Sequence, residues 1–382
     1  MVYKRLGDYI REVNVRNKDL KVTNLQGVSI SKQFIPSIAN TIGTDMSTYK
    51  VVNPGQFAYG PVTSRNGDKV SIALYKGDSD AIISQAYTVF EVVDKNKMSS
   101  EYLMMWFQRP EFDRYARFHS HGSAREIFDW DELCETTIPV PSIERQHEIV
   151  EEYEKLSRRI RLNKLMIEKL EATAQALYRK TFVDNIDKEN LPEGWRMGTI
   201  EELGEVVGGA TPSTNCSELW CDNGISWLSP ADLSKQATKF ISKGTKDITE
   251  LGYNSCSTKM LPKGSVLFSS RAPIGLMAIT TKELCTNQGF KSIVPNENIG
   301  LEYVYYYMLF IKDKIAEENT GSTFDEVSGQ TMKDYSAIIP PNNITKKFSQ
   351  LLHPIFNHQF IKQQENSKLT ELQSLLLAKM GQ

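Results

Sequence analysis

The feature that most restricts what this chain can fold into is an internal repeat, recurring at a separation of roughly 200 residues. Leu6-Gly7-Asp8-Tyr9-Ile10 returns as Leu203-Gly204-Glu205-Val206-Val207, and Val28-Ser29-Ile30-Ser31 as Ile225-Ser226-Trp227-Leu228. Ser84-Gln85-Ala86-Tyr87 returns as Asn287-Gln288-Gly289-Phe290, Glu101-Tyr102-Leu103 as Glu302-Tyr303-Val304, and Ile138-Pro139-Val140-Pro141 as Ile339-Pro340-Pro341. Pro54 to Tyr59 and Lys263 to Phe268 share only a turn followed by an apolar strand. Short words that match by chance do not keep their order across half a protein. A duplicated chain builds the same local unit twice, and 382 residues are in any case too many for one ordinary core.

Each half reads as strands and short helices, then a proline gate, then one long helix. Val70 to Tyr75 and Ser265 to Phe268 are strand-like runs bounded by Gly, Asp and Pro, whereas Tyr102 to Tyr115 and Leu301 to Glu318 are helix-like. The fold class is therefore α+β, with globular parts at 1–141 and 195–341, long helices at 142–183 and 342–382, and a linker at 184–194. Ser142 is a suitable N-cap, and no Pro or Gly interrupts the chain from there to Phe182. Ile149, Tyr153, Leu156, Ile160, Asn163, Ile167, Leu170, Ala174 and Leu177 alternate in steps of four and three, which is a heptad seam. In the second helix the apolar groups Phe348 to Ile355 and Leu369 to Met380 flank a polar middle, and Pro354 is expected to kink it. An antiparallel coiled coil would set Asn163 opposite Gln363 to Asn366, where a polar residue fixes register. Alternatively, Asn163 points to solvent, or the two helices join separate bundles.

Hydrophobic residues make up 40% and charged residues 24%, a soluble globular composition, and no run of eighteen apolar residues occurs. The N-terminus lacks an apolar signal core, so a cytoplasmic protein is expected. The net charge of −2 argues against a protein that coats DNA by charge alone, so a nucleic-acid role needs local basic patches or a partner. Cys134, Cys216, Cys221, Cys256 and Cys285 are scattered and odd in number, which suits neither a disulfide framework nor a zinc site. No Gly-x-Gly, Gly-Lys or Pro-Asp word occurs, removing the usual marks of a methyl-donor loop, an ATP-driven motor and a common metal-dependent nuclease. Asn53-Pro54-Gly55-Gln56 reads as a turn, and His119 and His121 as a loop pair. No catalytic residue and no metal site is expected.

The second half carries a further set of words: Leu191-Pro192-Glu193-Gly194-Trp195, Gly209-Ala210-Thr211-Pro212-Ser213, Trp227-Leu228-Ser229-Pro230-Ala231-Asp232-Leu233, Ser269-Ser270-Arg271-Ala272-Pro273-Ile274-Gly275 and Asn287-Gln288-Gly289-Phe290. Taken in order, these words and the repeated plan resemble the specificity subunits of type I restriction–modification systems. The resemblance implies two target recognition domains that read a bipartite site in double-stranded DNA, spaced by an antiparallel helix pair. It also implies two modification subunits and the restriction subunits as partners, with S-adenosylmethionine, ATP and Mg on those partners and no cofactor or catalysis here. Partner subunits can supply phosphate contacts, which answers the charge objection. The first half lacks the Thr-Pro-Ser turn and the Trp-Leu-Ser-Pro run, as two domains reading different half-sites would require. The rival readings are a duplicated protein-interaction scaffold without DNA and a stand-alone nuclease.

Base reading needs bidentate donors on loops, with other groups holding phosphate. The positions expected to meet DNA are Lys32, Gln33, Arg65, Asn66 and Arg125 in the first half, and Thr211, Ser213, Ser229, Arg271 and Lys291 in the second. Each has a bland reading as a solvated loop or turn residue. Trp227, Phe268 and Tyr305-Tyr306-Tyr307 read as core rather than stacking platforms.

Overall fold

The computed structural model describes residues 3–37, 43–63, 67, 69–121, 126–184, 186–187, 189–319 and 326–381. Two compact units result, one formed by 1–161 with 367–382 and the other by 162–366, so each long helix gives part of its length to both. In the first unit Tyr3–Arg5 pairs antiparallel with Thr137–Pro139, and a four-stranded sheet runs in the order Ile10–Val13, Thr88–Val92, Phe57–Gly60, Ser71–Leu74. In the second, Arg196–Thr199 pairs antiparallel with Ser336–Ile339, and the sheet order is Gly204–Gly208, Lys291–Pro295, Val266–Phe268, Met277–Thr280, with Phe240–Ile241 added in parallel at one edge. The repeat in the sequence is thus a repeat of sheet order.

One matched word is not structurally equivalent in the two halves. Leu6 and Gly7 form the turn before the strand Ile10–Val13, whereas Leu203 closes a short helix and Gly204 already opens its strand. The Glu-Tyr words are equivalent in role. Tyr102 and Tyr303 are buried to the last per cent, and each hydroxyl donates to a carbonyl of the closing strand, Pro139 at 3.2 Å and Ile338 at 2.7 Å. The phenol thus buries a large apolar ring while its one polar atom stays satisfied. The helix expected from Tyr102 to Tyr115 is instead two, Ser100–Phe107 and Pro110–Phe118, because Pro110 has no amide to donate and starts the second. Leu301–Glu318 forms as read.

The first long helix spans Ile143–Phe182, with the Ser142 hydroxyl accepting from the Arg145 amide. All nine seam residues from Ile149 to Leu177 are buried or partly buried, and most positions between them are exposed. The second spans Asn342–Lys379 and continues through Pro354 without a restart. Pro354 is exposed, so the carbonyl one turn back that loses its donor faces water and the cost is reduced. Within each unit the helices run antiparallel. In the first unit Gln373 donates to Ser157 at 2.7 Å, and Leu377 and Met380 join the core that Ile149 and Tyr153 cover. In the second, Gln359 donates to Glu171 at 3.0 Å and Asn163 to Asn366 at 3.0 Å. Asn163 is only 2% exposed, so the polar seam position is buried and paired.

Two buried polar anchors hold the first turns of the helices. Gln146 donates to the carbonyls of Lys97 and Pro141 and accepts from the Ser99 amide, while Thr345 donates to the carbonyl of Asn298. Both are fully buried, and both reach the loop that precedes the helix packed alongside. A third anchor joins the second unit's sheet edge to both helices. The Lys239 ammonium meets Glu171 at 2.9 Å, the Tyr306 hydroxyl at 2.9 Å and Gln359 at 3.0 Å, and lies 3.8 Å from the centre of the Phe356 ring. No helix among the described residues is long and apolar enough to cross a membrane.

Candidate nucleic-acid interface

In the second unit the motif words between Gly209 and Phe290, far apart in sequence, converge on one end of the main sheet. The strand Gly204–Gly208 pairs Gly208 with Lys291, which delivers Gly209–Ser213 beside the loop Asn287–Gly289. Gly209 has to be glycine, since a Cβ there would lie 2.2 Å from the Thr286 carbonyl oxygen. The next residue is pinned from both sides, its amide donating to the Thr286 carbonyl at 3.0 Å and its carbonyl accepting from the Trp227 indole at 3.0 Å. Trp227 therefore braces the loop, and its ring packs edge-on against Trp220. The Thr211 hydroxyl bonds the Gln288 side chain. Ser213 is exposed, and its carbonyl accepts from the Trp220 indole at 3.1 Å.

The adjoining loop brings Ser270 and Arg271. The Ser270 amide donates to the Gly289 carbonyl at 2.8 Å, and Ser270 also accepts from the Val327 amide at 2.9 Å. Arg271 pairs with Glu326 at 3.0 Å, and Lys291 reaches the same carboxylate at 3.5 Å and the Ser270 hydroxyl at 3.5 Å. A hydrogen bond from Arg271 holds the Glu326 carboxyl below its ordinary range, so it is ionised at neutral pH. Three expected residues, Thr211, Ser213 and Arg271, thus sit on loops, and a fourth, Lys291, opens the adjoining strand. Ser229 does not offer its hydroxyl outward. It caps the helix Pro230–Gln236, and both its amide and its hydroxyl donate to Asp232, at 2.8 and 2.7 Å.

In the first unit the expected residues divide. Arg65, Asn66 and Arg125 lie outside the described residues. Gln33 is exposed at the end of the hairpin turn that starts at Ser29. Lys32 is buried: its ammonium pairs with Asp113 at 2.7 Å and donates to the Phe107 carbonyl. Burial lowers the Lys32 pKa and the Asp113 carboxylate opposes the shift, so this lysine ties the hairpin to the helices and presents no donor to solvent. The neighbouring groove, about 810 Å³, was missed in the sequence. Lys69, Arg114, Arg117, Ile30 and Phe118 line it, with Phe118 82% exposed. Arg114 pairs with Glu111 at 3.2 Å and Arg117 with Glu126. An arginine-bearing amphipathic helix that ends in a solvent-facing Phe is the signal that was available.

His119 and His121 both approach Glu132, at 3.4 and 3.9 Å, and among the described residues no group of three His, Cys, Asp or Glu is placed to hold a metal ion. The five cysteines are free. The Gln56 amide donates to the Asn53 carbonyl at 3.1 Å, closing the turn read at Asn53-Pro54-Gly55-Gln56.

Residues 32–172 and 192–371 match the model of the type I restriction modification DNA specificity domain. A type I restriction enzyme specificity subunit of Methanocaldococcus jannaschii (MjaIX) is 38% identical over 168 residues, which cover 44% of this chain and 39% of that one. The chain therefore spans about two-fifths of that relative's length in the match. The HindI specificity subunit of Haemophilus influenzae is 22% identical over 98% of this chain and 97% of its own length. Among solved structures, the type I restriction–modification S subunit from M. genitalium superposes with a TM-score of 0.59 at 14% identity, covering all of this chain and 96% of that one.

Proposed function

The chain belongs to the type I restriction–modification DNA specificity family, and on that premise we propose that it selects the double-stranded DNA on which such a complex acts. Its two globular parts each read one half of a bipartite site. The duplication carries this reading: two regions match the same family domain, both repeat one sheet order, and they differ in the smaller sheets and loops at its margin. In the second part the readers are Thr211, Ser213, Arg271 and Lys291, with Gln288 beside them. In the first they are Gln33 and the groove residues Lys69, Arg114, Arg117 and Phe118. Arg, Lys and Gln are the side chains suited to base edges and phosphates, and an exposed aromatic suits an apolar contact with a base.

The chain is a non-catalytic subunit. Two modification subunits bring S-adenosylmethionine chemistry and restriction subunits bring ATP- and Mg-dependent translocation and cleavage. Leu162, Leu165 and Met166 on the first long helix, and Leu372 and Leu375 on the second, expose apolar surface to which such partners can pack. Purified alone, the chain is expected neither to methylate nor to cleave DNA. With a cognate modification subunit it is expected to produce adenine methylation at one bipartite motif, read by methylome sequencing of cells with and without the gene. Methyl transfer by the isolated chain, or an unchanged methylome on deletion, counts against the assignment.

A further inference from the structure

We infer that Glu326 is an internal competitor for phosphate, a carboxylate that occupies Arg271 and Lys291 until duplex DNA displaces it and so keeps loose, sequence-independent binding by the second unit weak. The inference rests on the DNA-reading function above. Its basis is the geometry of one carboxylate shared by two cations, 3.0 Å from Arg271 and 3.5 Å from Lys291. The sharing is built into the backbone. Arg271 and Glu326 face each other as an antiparallel bridge, and the next amide, Val327, donates to the Ser270 carbonyl at 2.9 Å.

The pair is also placed to exchange. The Arg271 side chain is 48% exposed and that of Glu326 31%, so the ion pair is worth little and an incoming anion can replace the carboxylate. Lys32 and Asp113 make the contrast, since that pair is buried on both sides and is part of the core. Two cations against one carboxylate leave a local excess of one positive charge, enough to attract a phosphate but not to hold any phosphate offered. A chain of net charge −2 that must bind one sequence among many gains from this arrangement. Each phosphate contact then has to break an existing ion pair, and only a site that also satisfies the base-reading groups offsets that cost.

The test measures binding of the full chain to a random-sequence duplex by fluorescence anisotropy across a KCl series. Wild type is compared with Glu326→Gln and with Glu326→Gln/Arg271→Met. Glu326→Gln is expected to bind more tightly and with a steeper salt dependence. One or two added phosphate contacts, at a slope of about 0.9 each, mean that a four-fold rise in salt costs the variant roughly three- to ten-fold more affinity than wild type. Adding Arg271→Met is expected to remove most of that gain. A Glu326→Ser variant, too short to reach Arg271, makes the same comparison should the glutamine disturb the melting curve. Equal slopes, or weaker binding by a variant whose melting is unchanged, would overturn the competitor role and leave the DNA reading standing. If neither wild type nor the variants bind duplex at all, the DNA reading itself fails and the inference falls with it.

Discussion

Lys239 illustrates how a single buried polar group ties the second unit's sheet edge to its helices. Burial pushes its pKa down to about 8, against the pull of Glu171; burial raises the Glu171 carboxyl in turn, but Lys239 with the hydrogen bonds from Gln175 and Gln359 together hold it below its ordinary range. The sign of the pH dependence follows from these shifts. Between about pH 8 and 10.5 the folded chain binds fewer protons at Lys239 than the unfolded chain, so this group makes stability rise with pH across that window. At neutral pH the ammonium is charged and depends on its partner. Glu171→Gln is therefore expected to cost about 3–5 kcal/mol in urea unfolding near neutral pH, by leaving a buried charge uncompensated. Glu171→Gln with Lys239→Met is expected to recover much of that loss and to flatten the alkaline pH dependence. A double variant as unstable as the single one would show that packing, not charge pairing, holds this junction. Gln146 and Thr345 act on the same principle at the helix starts, without charge.

At the scale of elements, the two long helices combine a regular apolar seam with one polar position. The Asn163–Asn366 bond lies at 3.0 Å within the second unit, and a buried amide pair of this kind penalises every register that separates it. The helices are proposed to set the gap between the two half-sites, and the contact dictates how that is tested. An insertion in one helix alone would break the register, so a whole heptad should be added to both, next to Asn163 and next to Asn366. Seven residues lengthen a helix by about 10.5 Å, comparable to roughly three base pairs of duplex. The expected outcome is a methylated motif with an unread gap longer by about that amount and with both half-sites unchanged. A folded, active insertion variant that keeps the original gap would mean that partner subunits, not the helices, determine the spacing.

At the scale of the whole molecule, the compact units do not end where the globular parts end. The first unit draws in the start of one long helix and residues 367–382 of the other, with Ile149, Val150 and Tyr153 packed on a core that includes Leu377 and Met380. Exchanging residues 1–141 for those of another family member is expected to change one half-site and leave the other intact. The exchanged part should also melt at a lower temperature unless these helix residues are exchanged with it, because a foreign core meets them with unmatched shapes. Methylome sequencing and a melting curve of the two chimaeras check both statements. If both half-sites change together, the two parts do not read independently.

The amino-acid sequence by itself determined the duplication, the α+β character of each half and the heptad seam, because these are properties of order and period along one chain. The Glu-Tyr repeat at Tyr102 and Tyr303 was legible for the same reason: one residue type does one job at one place in each copy. The sequence also contained the loop words of the second half, but not the fact that Gly209, Thr211, Ser270, Arg271 and Lys291 meet at one end of a sheet. That follows from strand order, which joins segments far apart in the chain. Only tertiary structure decided that Lys32 is a core ion pair and Ser229 a helix cap, since Asp113 and the helix turn that claim them lie outside any local pattern. It likewise decided that Pro354 stays within a helix, because exposure, not residue type, sets the cost of a missing hydrogen bond. Glu326, a single acidic residue with no motif around it, becomes significant only once folding brings two cations to its carboxylate.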